Sequence, residues 1–251
     1  MITPLDDGST LGAYGWLHDP QSRVRRARRI VAILRECGVP DLANAVALDV
    51  GCSAGLITLA LAPEFRRVVG VDRDAEAIAC ALRQRGNGGS VSFLVGSGEA
   101  LPFPDRSFCV VICNHVYEHV ADASELMNEI RRVLEPGGAC YFAAGHRLQI
   151  IEPHYRLPFL SWLPRRLAHR YLRVVGRGTE YRERFVAPWR LKHLISGFAR
   201  SELVSARMLR EPERFELTEG LLRYRWVRNL LRVAPAWAAW LAPTYVWVLW
   251  K

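Results

Sequence analysis

An acid, two glycines and a hydroxyl crowd into one short stretch at Asp49, Gly51, Ser53 and Gly55, within Val46-Ala47-Leu48-Asp49-Val50-Gly51-Cys52-Ser53-Ala54-Gly55-Leu56-Ile57. Glycine lets a main chain turn sharply and approach a ligand more closely than any residue with a side chain. The spacing matches neither G-x-G-x-x-G nor G-x-x-x-x-G-K-[ST], the two diphosphate-cradling turns. A carboxylate at Asp49 repels a diphosphate and suits a cation or an ammonium group. Three histidines offer proton chemistry near neutral pH: His119, His146 and His154. His154 stands beside Glu152 and Tyr155, and a neighbouring carboxylate raises the basicity of an imidazole. Support of a loop by hydrogen bonding is the competing role for each of the three. His115 and His119 have the i, i+4 spacing of a metal pair. No third ligand lies near them in sequence, so no metal is expected.

The elements that position these residues are read from apolar patterning. Continuous apolar runs at Val46–Val50, Arg67–Asp72, Val91–Val95, Phe108–Cys113 and Ala139–Ala144 read as buried parallel strands. Helical spacing predicts helices over 23–37, 54–62, 75–85 and from Asp122 to Leu134. Asp122-Ala123-Ser124-Glu125 has the pattern of a capping box, and Pro136-Gly137-Gly138 stops the helix it opens. Alternating strand and helix imply a parallel, doubly wound sheet. Such sheets bind ligands at their carboxyl edge. Asp49 and Asp72 close the first two strands, His119 follows the fourth and His146 the fifth.

Residues 145–190 break the alternation with a Pro-, Arg- and aromatic-rich stretch that reads as a cap. Its Tyr155, Phe159, Trp162 and Tyr171 suit a hydrophobic or ring-shaped ligand, and its arginines suit phosphate or carboxylate. Packing of the cap itself is the alternative use of the aromatics. Beyond it, Trp189–Gly197 reads as a helix and Ser201–Leu209 as a strand. No charge falls between Val233 and Trp250, but Pro235 and Pro243 interrupt a membrane-spanning helix there. Thr244–Trp250 is β-branched and aromatic and reads as a strand. A helix from Thr218 to Leu241 carries Arg on one side and Trp and Leu on the other, a pattern of surface membrane contact or of core packing.

The chain has 251 residues, 50% hydrophobic and 24% charged, with a net charge of +9. Such a charge fits an anionic partner or merely a basic surface. No nucleic-acid motif accompanies the arginines, so no nucleic acid is expected. The six cysteines form no CxxC pair, and most sit in apolar runs. With no signal peptide in the N-terminal sequence, a reducing cytoplasm without disulfides is expected.

Together these residues resemble the class I S-adenosylmethionine-dependent methyltransferases over about residues 44–145. Leu48-Asp49-Val50-Gly51-Cys52-Ser53-Ala54-Gly55 looks like that family's first motif, with Ser53 where a third Gly is usual. Asp72 matches the acid that holds the ribose hydroxyls, and Arg73 beside it stacks over adenine or faces solvent. The segment Gly96-Ser97-Gly98-Glu99-Ala100-Leu101-Pro102 looks like the one that lines adenine. The family often has an acid where this chain has Ser97, a weaker acceptor, so adenine recognition leans on the backbone of Gly98 and Glu99. Asn114-His115-Val116-Tyr117-Glu118-His119-Val120 follows the fourth strand, where the family closes over the methionine part. Leu134-Glu135-Pro136-Gly137-Gly138 is a structural match.

The resemblance implies an α/β, Rossmann-like, doubly wound, seven-stranded and mostly parallel sheet with a helical insert after the fifth strand. It implies a single domain over 1–251, with a cofactor core at 44–145, an acceptor-side cap at 146–190 and C-terminal helices and strands at 191–251. S-adenosylmethionine is the implied cofactor, held by Asp49, Gly51, Cys52, Ser53, Gly55, Asp72, Arg73, Ser97, Gly98, Glu99 and Asn114. His119, His146 and His154 are the catalytic candidates. The expected reaction is methylation of a hydrophobic, aromatic or lipid-linked small molecule, preferably at oxygen. C-methylation of a quinone-like ring and a non-catalytic cofactor-binding scaffold are the alternatives. A cytoplasmic location is expected, with membrane-surface contact through the C-terminal aromatic region as its extension.

Overall fold

The computed structural model describes residues 20–86, 89–217, 224–232, 242 and 244–251. The polar opening with Tyr14, Trp16 and His18 lies outside them. So does most of the helix expected from Thr218 to Leu241, of which Arg225–Arg232 (α8) is described.

Helix α1 (Pro20–Glu36) buries Ala27, Ile30, Val31, Ile33 and Leu34, the stripe that helical spacing places on one side. Strand β1 (Val46–Val50) leads through the glycine turn into α2 (Leu56–Leu61), and β2 (Arg67–Asp72) into α3 (Ala75–Arg85). Asp74 caps α3 by accepting from the backbone N–H groups of Glu76 and Ala77, a contribution of about 1 kcal/mol. After β3 (Val91–Val95) and β4 (Phe108–Asn114) comes α4 (Ala123–Val133), capped by Asp122 through Ser124 N–H and Glu125 N–H. The N–H of Asp122 itself donates to Glu99 Oε1 at 2.6 Å. The loop after β3 thereby completes a cap that the sequence pattern assigns to Glu125.

Helix α4 ends at Val133, with Leu134 already extended at ψ 140°. Glu135 precedes a proline, which disfavours helix. Pro136-Gly137-Gly138 therefore lies within β5 (Leu134–Gly145), beside a register shift against β4 between Phe108 and Val110. The expected strand Ser201–Leu209 divides into β8 (Arg200–Leu203) and helix α7 (Ser205–Arg210). Val204 and Met208, four apart, are both buried, which is helical spacing. The last strand is β9 (Thr244–Trp250), as expected.

The seven strands run in the order β3-β2-β1-β4-β5-β9-β8. Pairs from β3 through β5 are parallel, and β9 is antiparallel to both β5 and β8. Side chains alternate strictly between two cores. Leu48, Val111, Phe142, Tyr245 and Trp247 face one, and Ala47, Val110, Tyr141, Val246 and Val248 the other. Both faces of the sheet are covered, as buried parallel strands require. Phe142 and Trp247 stack with centroids 5.8 Å apart across the β5–β9 pairing. Burying each such side chain contributes roughly 1.5–3 kcal/mol.

The burial of Tyr245, Trp247 and Leu249 corrects the expectation of membrane contact for this strand, because its aromatics pack inside the sheet. Trp237 and Trp240 lie outside the described residues. Among the described residues no helix is long and apolar enough to cross a membrane.

Between β5 and β8 the chain forms a short hairpin of β6 (Ile151–Glu152) and β7 (Leu157–Pro158), then α5 (Arg165–Val175) and α6 (Pro188–Leu194). The segment between α5 and α6 crosses back over the sheet edge. Arg184 N–H donates to Glu118 O, and Arg147 N–H to Val186 O.

Candidate active site

The strand order turns around β1, with β2 on one side and β4 on the other. A crevice opens there, and the loops after β1 and β4 line it. Gly51 has φ +71° and Gly55 φ +78°, a region that side chains rarely enter. A Cβ on Gly51 would lie 2.6 Å from Val116 Cγ2, and one on Gly55 would lie 2.6 Å from Phe93 Cζ. The turn is thus packed against its neighbours with room for hydrogens alone. Ser53, the departure from glycine, also takes a positive φ of 49°. It sits in the conformation that glycine adopts without penalty.

Asp49 is buried and accepts a hydrogen bond from Thr58 Oγ1 at 2.6 Å. Burial pushes its pKa up to about 7, against the opposing hydrogen bond from Thr58. A buried acid in this state favours a cation beside it. Asp72 accepts Ser53 N–H on Oδ2 at 2.8 Å and Asp74 N–H on Oδ1 at 2.9 Å. Each carboxylate oxygen retains a second lone pair for a ligand hydroxyl. Arg73 is exposed at the same strand end.

Ser97 Oγ accepts Glu99 N–H at 3.2 Å, and the Glu99 carboxylate is taken up by Asp122. Gly98 is backed by Leu126 and Val50, so a Cβ there would lie 2.8 Å from Leu126 Cδ1. Asn114 ends β4 opposite Ala143. Cys52 packs in a small apolar cluster with Ile78, Ala81 and Phe93. Burial raises its thiol far above the usual range.

A second constellation adjoins the first through Val116, which rests on Gly51. His115, at φ +58°, places Nδ1 3.1 Å from Glu118 Oε1. Glu118 is fully buried. Burial works to raise its pKa, but the hydrogen bond and charge of His115 outweigh this and hold it below the carboxylate range. The rings of His119 and His154 meet edge to face, with centroids 5.1 Å apart. Glu152, also fully buried, accepts from His154 Nδ1 at 2.8 Å and from Tyr155 N–H at 2.7 Å. A carboxylate only accepts, so Nδ1 of His154 carries the proton and Nε2 of the neutral ring holds the lone pair.

The two imidazoles are driven apart. Burial holds His119 below its ordinary pKa, with Glu118 opposing. For His154 burial acts in the same direction, but the hydrogen bond and charge of Glu152, aided by Glu183 and Glu118, hold it above. Neighbouring titratable groups separated in this way mark acid–base sites.

The third histidine does not join them. His146 is 1% exposed, hydrogen-bonded through Nε2 to Ala242 O at 2.8 Å and stacked on Tyr245 at 4.4 Å. Its side chain packs with the strand that follows β5 in space, not with the crevice. Sequence reading named Tyr117 and Glu118 only within the segment after the fourth strand, with no role of their own, and overlooked Tyr181 and Glu183. Tyr117 Oη donates to Gly145 O at 2.6 Å, tying the loop after β4 to the end of β5. Glu118 lay between two histidines, three residues from His115, which was its only signal. Tyr181 and Glu183 come from a stretch without periodicity, and only folding brings them in.

One donor atom each from Glu118, His119 and His154 lies within 4.8 Å of the others. The expectation of no metal rested on the lack of a third donor nearby in sequence, and the insert supplies one. A separate cleft of 660 Å³ lies between α4 and α6, lined by Ser124, Met127, Arg131, Arg190 and His193 among others. It includes none of the loop residues after β1, β2 or β3.

Residues 48–142 match the family described as "Methyltransferase domain". An uncharacterized methyltransferase of Bacillus subtilis, YcgJ, is 36% identical over 93 residues, covering 36% of this chain and 37% of that protein. A ubiquinone biosynthesis O-methyltransferase of Pseudomonas entomophila is 32% identical over 152 residues, covering 59% of this chain and 61% of that protein. The matched stretch thus spans less than two thirds of these relatives. In fold, the chain resembles a geranyl diphosphate methyltransferase solved in complex with SAM, with TM-score 0.55, 14% identity and coverage of 97% of this chain and 91% of that one. The family match over residues 48–142, the seven-stranded sheet and the cradle built on Gly51, Gly55 and Asp72 agree in supporting a class I S-adenosylmethionine-dependent methyltransferase.

Proposed function

We propose that this protein methylates a hydroxyl of a hydrophobic small molecule, with His154 as the proton acceptor. The observation that carries the reading is the Glu152–His154 pair, held by a fully buried carboxylate and set edge to face with His119 beside the glycine turn.

The residues present fit S-adenosylmethionine. At Gly51, Gly55 and Gly98 a Cβ would strike Val116, Phe93 and Leu126, so the loops that line the crevice keep their shape only without side chains there. Asp72 presents its carboxylate for the ribose hydroxyls, and buried Asp49 supplies the charge that an ammonium group completes. Bound there, the cofactor supplies a methyl group made electrophilic by its sulfonium. The protein's own task is to align the acceptor oxygen with that methyl and exclude water.

Glu152 fixes the orientation and tautomer of His154 and stabilises its protonated form. His154 Nε2 would take the acceptor's proton as its oxygen gains the methyl carbon, the carbon–sulfur bond breaking to leave the cofactor's sulfur neutral. Tyr181, Phe185 and Leu157, packed in the core cluster beneath the insert, supply the apolar surroundings that a hydrophobic acceptor needs. The oxygen-directed reading also draws on the relatives named as ubiquinone biosynthesis O-methyltransferases.

Titration calorimetry with S-adenosylmethionine and with NADH tests the cofactor, and heat with the first alone is expected. A turnover screen of phenols, quinols and lipid-linked sugars tests the reaction. His154→Gln is expected to lower kcat by about 10²–10⁴-fold while cofactor binding persists. No heat with S-adenosylmethionine overturns the reading. Cofactor heat without turnover on any acceptor makes the protein a scaffold. An unchanged kcat in His154→Gln with a methylated ring carbon makes it a C-methyltransferase. Loss of turnover after dialysis against EDTA, restored by a divalent cation, reassigns Glu118, His119 and His154 to an ion.

A further inference from the structure

The hairpin that carries Glu152 and His154 has two faces. Glu152 is fully buried, whereas its neighbour Ile151 is 59% exposed and Ile150 62%. Strand alternation accounts for the contrast between Ile151 and Glu152, since successive side chains point to opposite sides, and Ile150 precedes the strand. The outward side continues into a larger surface. Phe159 N–H donates to Ile150 O at 2.7 Å, and Phe159 meets Trp162 edge to face at 5.3 Å. Trp162 Nε1 in turn donates to Gln149 O at 2.9 Å. Phe159 is 49% and Trp162 46% exposed. Aromatic and aliphatic side chains that would ordinarily be buried are thus held together by backbone hydrogen bonds and turned to solvent.

Helix α5 extends the pattern. Its Ala168 and Leu172 are buried. On the opposite side Leu167 and Val174, seven apart, form an exposed apolar line, and Arg166, Arg170 and Arg173 an exposed basic line beside it. Between residues 145 and 178 the chain has seven arginines and a single acid, the buried Glu152. The exposed charge carried by the hairpin and α5 themselves is therefore of one sign, and the next acid along the chain, Glu180, is paired with Arg182.

Apolar side chains flanked by arginines and free of exposed acids match the layered chemistry of an anionic bilayer surface, with acyl chains beneath phosphates. A solvent-exposed surface of a monomer carries scattered single hydrophobics, not a contiguous group of this kind. We propose that the outer face of the β6–β7 hairpin and α5 docks on an anionic phospholipid bilayer. The occupant is the lipid surface and not a protein groove, because the basic line runs the length of α5 and complements a continuous sheet of phosphates. Docking in this orientation would leave only the thickness of the hairpin between the bilayer and the Glu152–His154 pair on its inner face, close to the membrane from which a lipid-linked acceptor arrives. The surface itself is independent of which residue takes the proton.

Co-sedimentation of the full chain with vesicles tests it without turnover. Wild type is expected to bind vesicles of mixed phosphatidylcholine and phosphatidylglycerol at least about tenfold more tightly than pure phosphatidylcholine, and less tightly as salt rises. The variant Arg166→Glu/Arg170→Glu/Arg173→Glu is expected to lose about tenfold or more. So is Ile150→Ser/Ile151→Ser/Phe159→Ser. Arg28→Glu/Arg83→Glu, on exposed helix faces elsewhere, is expected to bind as wild type does. Retained heat with S-adenosylmethionine shows that each variant is folded.

Wild type failing to bind anionic vesicles overturns the proposal. So does a serine variant that binds as wild type, since an attraction through charge alone would suit any polyanion, nucleic acid included. Failure of vesicle binding with cofactor heat and turnover intact removes the docking surface and leaves the methyl-transfer reading standing.

Discussion

At the scale of single residues, the two fully buried carboxylates Glu118 and Glu152 organise the site. Each is paired with an imidazole nitrogen, at 3.1 and 2.8 Å respectively. Glu152 raises the pKa of His154 against its burial, and a proton acceptor must be neutral to act. Activity should therefore fall as pH drops through a value above the ordinary 6.5. Glu152→Gln removes the charge that raises it. The inflection of kcat/KM should then move to lower pH, with the plateau rate down by about tenfold or more because the base is weaker and less well oriented. A pH profile of kcat/KM for both proteins checks this, and an inflection that stays in place would assign the titration to another group. The pair was half legible in the sequence. Glu152 and His154 are two residues apart, which suggested a dyad, but nothing showed that His119, 35 positions earlier by sequence number, would stand against it. His146 had the same credentials as His154, and only the packing on Tyr245 distinguishes them.

Among the elements, the β1–α2 turn was the most legible, because its constraint is local. Glycines at a strand end before a helix can be read from neighbours in sequence. The reason they are needed is less local. Gly55 combines a positive φ with a Phe93 ring from β3 where a Cβ would go. Gly55→Ala should therefore destabilise the protein by about 2–3 kcal/mol, summing backbone strain and overpacking. Chemical denaturation measures this. Calorimetry should show cofactor affinity falling in the same variant, since the turn must shift to admit the methyl group. A neutral substitution would mean that Phe93 yields freely. The stretch Ser201–Leu209 was misread because Ser201 and Leu203 fit a strand period while Val204 and Met208 fit a helical one. The edge position of β8 beside β9 decides where one gives way to the other. The end of α4 was placed within one residue, but the start of the next strand was put at Ala139, because the Pro-Gly-Gly that reads as a stop belongs to β5, which pairs with β4 from Leu134 onward.

For the whole molecule, the crevice at the strand reversal stores a destabilising charge. Asp49 holds its proton up to about pH 7 in the folded state, against 3.8 ordinarily. Below the ordinary value both folded and unfolded chains are protonated, and the group has no effect on stability. Between it and neutral pH only the unfolded chain releases the proton, so stability declines as pH rises, by roughly 4 kcal/mol at most. Asp49→Asn removes the ionisation while keeping an acceptor for Thr58. Its Tm should exceed that of wild type at pH 8 and approach it at pH 4.5, and its affinity for S-adenosylmethionine should be lower. Thermal denaturation across pH checks the first part. A Tm difference that is constant with pH would place the ionisation elsewhere. Such a site would exchange stability of the empty protein for attraction to a cationic ligand.

The order of strands and helices, the cradle at Asp49, Gly51, Gly55 and Asp72, and the strand at Thr244–Trp250 follow from periodicity and turn chemistry, which act between near neighbours. The sequence by itself determined these. Which histidines meet, which acids lose all contact with water, and which aromatics face outward depend on pairings between distant segments. The tertiary structure alone decided that His146 and Trp247 pack in the core while His154 of the insert pairs with buried Glu152 and Ile151 and Trp162 are exposed. The physical reason is that burial is a property of what packs over a side chain, and at His154 that covering comes from His119 after β4 and from Phe185, each about 30 or more positions away along the chain.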